Sequence, residues 1–394
     1  MASVTIARPR PRSPLAVMRS MRPADPVQVR IAALRRFAVA ITILNFVGHR
    51  WLGFEQAIAQ PILAVLTCYV TELFLETVDA RRDGRLPAYK VENPDAALRE
   101  KLRTMVNFLL PAHITGFALG MLLYIGSRLE LFVIAGIVAI SSKYVFRFLS
   151  ASPGPRRHKH YFNPSNFGIT VMLVLFSGTV SIAPPYQFTE YFGFKGDIIL
   201  PVFITFLGTF VNFVFTGKIP LIMAWVGGFA LQGIFRSIVD PNVSPWAAVS
   251  PLTGLALILF TMYMVTDPGT TPRSTRNQVI FGLSVAGVYG VLISQGIAFG
   301  VFFALTIVCA VRGTYLTVVN AQERRRVARA AAGGPGSGAG VDGNGADGNG
   351  ADGNGDGDGA DGDGAAPATT TVKGTKAGAN GGSDPEHTME PTGN

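Results

Sequence analysis

The sequence predicts an all-α, polytopic membrane protein of about ten transmembrane helices with disordered N- and C-terminal tails. Three observations carry this. Of 394 residues, 48% are hydrophobic and 15% charged. Nearly all the apolar content lies between residues 37 and 330, where ten spans of ~20 residues fit with room for loops. The charges fall between the apolar runs, as topology signals, so the net charge of +9 is no nucleic-acid footprint. A soluble enzyme with one anchor is excluded.

Apolar runs bounded by charge, Pro and Gly place spans at 37–50, 58–76, 106–127, 130–149 and 166–183. Five more fall at 198–216, 219–238, 249–266, 277–293 and 295–315. Lys and Arg set the orientation. With the N-terminus inside, about 30 of the 34 basic residues face the cytoplasm, leaving Arg50, Arg128, Lys195 and Arg236 outside. Ten spans bring the C-terminus back to the cytoplasm, so the chain is expected in the cell membrane with both termini inside. The lipid bilayer is its first partner.

Residues 1–36 read as an Arg/Pro-rich cytoplasmic arm and not a leader, because the apolar run begins late and no A-x-A site closes it. Residues 331–394 form a Gly/Asp-rich tail repeating Asp-Gly-Asn-Gly, with almost nothing to bury against its ordering entropy. The stretch from Asp352 to Asp363 imitates a calcium loop, but it lacks flanking helices and an apolar anchor. The transmembrane domain is therefore 37–330.

Cys68 and Cys309 fall inside spans and read as small core residues. His158-Lys159-His160 has no acidic or thiolate neighbour and reads as a basic loop, so no metal site is expected.

Two polar, Pro-containing breaks stand at membrane depth. The first is His160-Tyr-Phe-Asn163-Pro164-Ser-Asn166-Phe-Gly168, leading into the fifth span. Asn163 suits an N-cap and Pro164 the first helical position. Asn166 adds a donor and an acceptor, while Gly168 opens the backbone to close approach. The second break is Thr266-Asp267-Pro268-Gly-Thr270-Thr271-Pro272. Asp267 is expected to cap, and the two prolines forbid a continuous helix. Both breaks face the predicted cytoplasmic side. They either line one pocket, as interrupted helices do in membranes, or are ordinary capped loops.

Glu72, Glu76, Asn107, His113, Lys143 and Asn212 are the other polar residues within spans. Ionisable groups at depth point to ion or proton paths. Interhelical pairing, as of Glu72 with Lys143, is the competing reading, and no catalytic residue is assigned.

Phe162-Asn163-Pro164 with Gly168 resembles the F-N-P-A-x-x-G motif of the RnfD/NqrB family, the flavin-bearing membrane subunits of Rnf and sodium-translocating NADH:quinone reductase complexes. Thr266-Asp267-Pro268, with Phe260 before it and Phe281-Gly282 after, resembles that family's F-x-A-T-D-P block. Gly296–Ala304 resembles its last-helix segment. Asn163-Pro-Ser-Asn-Phe-Gly168 and the early Gly53-Phe-Glu-Gln56 are most similar to the UnbU-type proteins of enediyne biosynthesis.

The resemblance implies electron transport, and an electron-transfer subunit of a membrane oxidoreductase or ion-translocating complex. It would be served by partner redox subunits or biosynthetic enzymes. The region of Ser177-Gly178-Thr179 lacks the family's S-G-A-T attachment motif, so the cofactor implied is a non-covalent flavin, FMN or riboflavin. Its binding residues would be Asn163, Pro164, Asn166, Gly168, Thr266, Asp267, Thr270 and Thr271. The alternative is a non-redox transporter or channel for a small solute or biosynthetic intermediate. A scaffold recruiting enzymes through its two tails is the third reading.

Overall fold

The structure, a computed structural model, describes residues 25–54, 56–149, 158–183 and 193–332. It is a helical membrane fold. The first helix, α1 (Pro26–Val47), continues into a π-turn (Gly48–Leu52). It is followed by α2 (Ala59–Arg82), α3 (Leu98–Leu122), α4 (Glu130–Val145) and α5 (Pro164–Leu175). The second half begins with α6 (Gly193–Val211), ending in a π-turn (Asn212–Thr216), then α7 (Ile219–Val239). Next come α8 (Pro245–Val249), α9 (Leu255–Leu259) with its π-turn (Phe260–Met264), α10 (Thr275–Ser294) and α11 (Gly300–Ala332).

All ten expected segments are helical, with corrections. Among the described residues, seven helices are long and apolar enough to cross a membrane; an eighth apolar stretch is a pair, Pro245–Thr253 and Leu255–Met264, bent by 62°. The bend falls at Gly254, where Pro251 has already removed a donor. α4 and α5 have 16 and 12 residues, short of the ~20 that cross the hydrocarbon. α1 starts at Pro26, inside the expected arm, and α11 runs to Ala332, into the expected tail. Charged residues mark where a helix leaves the membrane, not where it ends. The rest of the arm, the tail and its calcium-like stretch lie outside the described residues.

Two two-stranded ribbons pin the loops. β1 (Leu123–Tyr124), after α3, pairs antiparallel with β4 (Ser181–Ile182), after α5. β2 (Arg147–Leu149) pairs with β3 (His158–His160), between α4 and α5. The turns thus sort onto two faces. Gln56 reaches Leu123 O and Gln60 reaches Gly126 O on one. On the other, Lys218 reaches Pro272 O, Arg312 reaches Thr270 O and Asn320 reaches Leu149 O. This second face is the one the basic residues mark.

The packing repeats. In the first half α1 lies on α3, α2 on α3 and α4, and α4 on α5. In the second, α6 lies on α9, α7 on α8 and α10, and α10 on α11. The opening helices end alike: Gly53 (φ 80°) and Gly217 (φ 64°) close the two π-turns, with Phe54 N–H on Gly48 O and Lys218 N–H on Asn212 O. Only glycine takes that left-handed conformation without cost. The core of the second half gathers on Trp225, fully buried, whose Nε1 donates to Thr261 at 2.9 Å.

Close helix contact rests on small residues. A Cβ on Gly116 would lie 2.5 Å from Val65 Cα, and one on Gly120 2.6 Å from Pro61 Cα. This Gly-x-x-x-Gly pair seats α3 against α2, as small residues do where lipid gives no hydrophobic drive between helices.

Candidate functional site

The first break forms a complete helix start. Asn163 is extended (φ −64°, ψ 121°), and its Oδ1 accepts from Asn166 N–H at 3.2 Å and Ser165 Oγ at 2.8 Å. Pro164 occupies the first turn, as expected. Phe162 stacks on Phe167 with centroids 4.6 Å apart, the apolar staple that fixes the entry angle.

The second break folds on itself. Asp267 caps no helix: Oδ1 accepts from Gly269 N–H at 3.1 Å and Oδ2 from Thr270 Oγ1 at 3.1 Å, an Asx turn. Thr271 Oγ1 returns to Asp267 O at 2.6 Å, and Thr266 Oγ1 to Met262 O at 2.6 Å. The following helix, α10, is capped instead by Ser274.

The two breaks meet. Asn163 Nδ2 donates to Met264 O at 3.3 Å, a carbonyl left over where the bent pair ends. His160 lies against Gly269, where an added Cβ would stand 2.9 Å from its Nε2. Burial pushes the His160 imidazole down to about 4, against the opposing pull of Asp267. α11 closes the third side: Asn166 Nδ2 donates to Phe302 O at 3.0 Å and to Thr306 Oγ1 at 2.8 Å. Thr170 Oγ1 joins the same carbonyl at 3.2 Å.

Of the eight expected residues, Asn163 and Asn166 meet Met264 and α11 in one polar seam, Thr270 joins it through its carbonyl on Arg312 and Asp267 acts on His160, while Thr266 and Thr271 bond only within their own segment. Most hydrogen bonds of these six are spent inside the protein. Gly168 does bring something close to the backbone, but that is α4: an added Cβ would sit 2.8 Å from Ala139 Cβ. One group stays open. Asn166, 2% exposed, has an Oδ1 with no partner. Its orientation is set, because its Nδ2 must face the Phe302 carbonyl.

A second polar system runs along α2. Glu72, 2% exposed, takes Lys143 Nζ at 2.6 Å on both oxygens and the Tyr144 hydroxyl at 3.0 Å. Glu76 receives Arg85 at 2.5 Å and Ala88 N–H at 2.8 Å. Asp79 holds Arg85 at 2.8 Å and also Arg147. The expected Glu72–Lys143 pairing is present. The Asp79 clamp went unread, because Arg147 lies 68 positions away and nothing local announces it.

No family model matches this chain, and no curated protein does.

Proposed function

We propose that this chain is an RnfD/NqrB-like electron-transfer subunit, flavin-linked and serving enediyne biosynthesis, embedded in the cell membrane with both termini cytoplasmic. The observation that carries the reading is the junction of the two family-like breaks, through Asn163 and Met264, across 101 residues of chain. The UnbU-like Asn163-Pro-Ser-Asn-Phe-Gly168 and Gly53-Phe-Glu-Gln56 support the biosynthetic assignment.

One atom of the seam supports a flavin. The buried, open Asn166 Oδ1 suits a ring N–H; it is one of seven buried side-chain atoms without a partner among the described residues, and what sets it apart is its place where the two breaks meet. Asn163, Thr270 and Thr271 contribute only if they exchange existing bonds, so Asn166 is the residue that would hold the ring. A bound flavin supplies one- and two-electron transfer. The chain's part is to orient the ring and to keep water from it between α5 and α11. Partner proteins supply and take the electrons, because two cysteines are too few for a four-thiolate iron–sulfur cluster. Absorbance of the detergent-purified protein before and after chemical reduction tests this. A flavin spectrum that bleaches supports the reading; a colourless protein that takes up no added flavin ends it.

The second reading, a solute transporter, is favoured by the apolar pair bent by 62° and by the repeated five-helix packing, both features of transporter folds. Solute uptake into proteoliposomes with no electron donor present would select it.

A further inference from the structure

A cavity of about 560 Å³ lies beside the basic end of α1, where that helix meets α6 and Tyr263. Its volume falls within the ~300–1,000 Å³ of small-ligand sites. The walls are apolar side chains of α1 (Phe37, Val39 and Ile43) and of α6 (Leu207, Phe210 and Val211). Phe37 stacks flat on Tyr263, with ring centroids 4.4 Å apart. Val39 and Ile43 are largely exposed, so the trough opens sideways, along the flank of α1 that faces lipid. The electron-transfer reading makes no use of it.

Two arginines stand at one end of the trough, a helical turn before Val39. Arg35 and Arg36 both line it. Arg35 is held by a neutral acceptor: its Nε and Nη2 donate to Asn107 Oδ1 of α3, at 3.0 and 2.7 Å. Arg36 donates from Nη1 to Ala32 O at 3.0 Å, and its guanidinium rests on the Phe215 ring, 4.4 Å from the centroid. An amide, a carbonyl and a ring face orient a guanidinium without neutralising it. Among the described residues no carboxylate pairs with either arginine. Each guanidinium carries more N–H donors than these bonds use.

An empty trough with apolar walls forfeits dispersion contacts, so in a bilayer a hydrocarbon chain fills it. Filling alone selects no headgroup. The arginines do, because a guanidinium grips a phosphate through two parallel N–H···O bonds, and basic pockets between membrane helices take anionic lipid heads. A free anion would gain nothing from Phe37, Ile43 or Phe210. A zwitterionic head would bring an ammonium of its own against the guanidinium groups. We propose that this cavity is a site for one anionic phospholipid, such as phosphatidylglycerol, with its phosphate on Arg35 and Arg36 and an acyl chain between α1 and α6. The lipid thereby ties the opening helix of the first half to that of the second. The site stands whether or not the seam binds a flavin.

The test is native mass spectrometry of the full chain in detergent, offered equal amounts of phosphatidylglycerol and phosphatidylcholine with the same acyl chains. The wild type should retain a single phosphatidylglycerol, preferred over phosphatidylcholine by ~30-fold, which is about fivefold for each arginine. Arg36→Gln, which leaves the Arg35–Asn107 bonds in place, should lower that preference about fivefold. Arg35→Gln with Arg36→Gln should bring it close to parity. Ala40→Trp, which fills the trough and keeps both arginines, should lose the retained lipid. Each ratio is read on folded, monodisperse protein, so a change in stability does not enter it. Equal retention of the two lipids by the wild type, an unchanged preference in the double variant, lipid still held by Ala40→Trp, or displacement of the lipid by inorganic phosphate would overturn the proposal.

Discussion

Asn163 donates from Nδ2 to the carbonyl of Met264 at 3.3 Å while its Oδ1 caps α5. One side chain thus starts one helix and finishes another. Removing it should do two kinds of damage. Asn163→Ala loses the cap, ~0.5–2 kcal/mol, and strands a buried carbonyl at ~1–3 kcal/mol more. Asn163→Ser should keep most of the cap and lose only the tie. Thermal unfolding in detergent should rank wild type above Ser above Ala; equal stabilities would mean that the breaks are independent loops.

Glu72, buried on α2, pairs with the largely covered Lys143 of α4. Glu72→Ala should destabilise by ~3–5 kcal/mol, because it leaves the ammonium uncompensated. Replacing both with Met should restore most of that loss. A double variant as unstable as the single one would show that the pair is not what holds α2 to α4.

The His160 imidazole is pushed below its ordinary 6.5 to about 4, first by burial and further by Lys143 and Arg30, with Asp267 pulling the other way. The unfolded chain therefore binds more protons than the folded one between these values. The neutral ring's contribution is complete above about 6.5 and is lost as pH falls towards about 4. Unfolding midpoints of wild type and His160→Gln, followed from pH 7 to pH 4, should converge as the acid removes the wild type's advantage. Parallel curves would contradict the burial.

Gly116 and Gly120 admit the backbone of α2 at distances that no side chain allows. Either glycine changed to Ala should cost ~1–3 kcal/mol by overpacking, despite the helix propensity gained. Gly287, on α10 with nothing near its missing Cβ, is the control: its Ala variant should be neutral or slightly stabilising. Equal effects at the three positions would remove the packing argument.

Much of this fold was legible in the sequence, because apolar length is a summed signal that tolerates local error. The helix ends were not. Arg30, Arg35 and Arg36 read as arm, yet α1 carries them on its first turns, Arg35 donating to Asn107 at 2.7 Å. The bend at Gly254 was written in Pro251 and Gly254 but hidden by the apolar residues on either side. Within the seam, the cap by Asn163 was legible because capping is local. Its bond to Met264 was not, nor was the turn that Asp267 closes on itself, since Asp-Pro serves a cap and a free turn equally well. The Gly116-x-x-x-Gly120 spacing was a readable signal that went unused.

The most direct measurement of the central claim is the flavin content of the full chain purified in mild detergent and offered FMN and riboflavin, beside Asn166→Leu. The account predicts an equimolar, extractable flavin in the wild type and its loss from the variant, which should also unfold at a lower temperature because it gives up the bonds to Phe302 O and Thr306. No flavin in the wild type, or the same amount in Asn166→Leu, would contradict it.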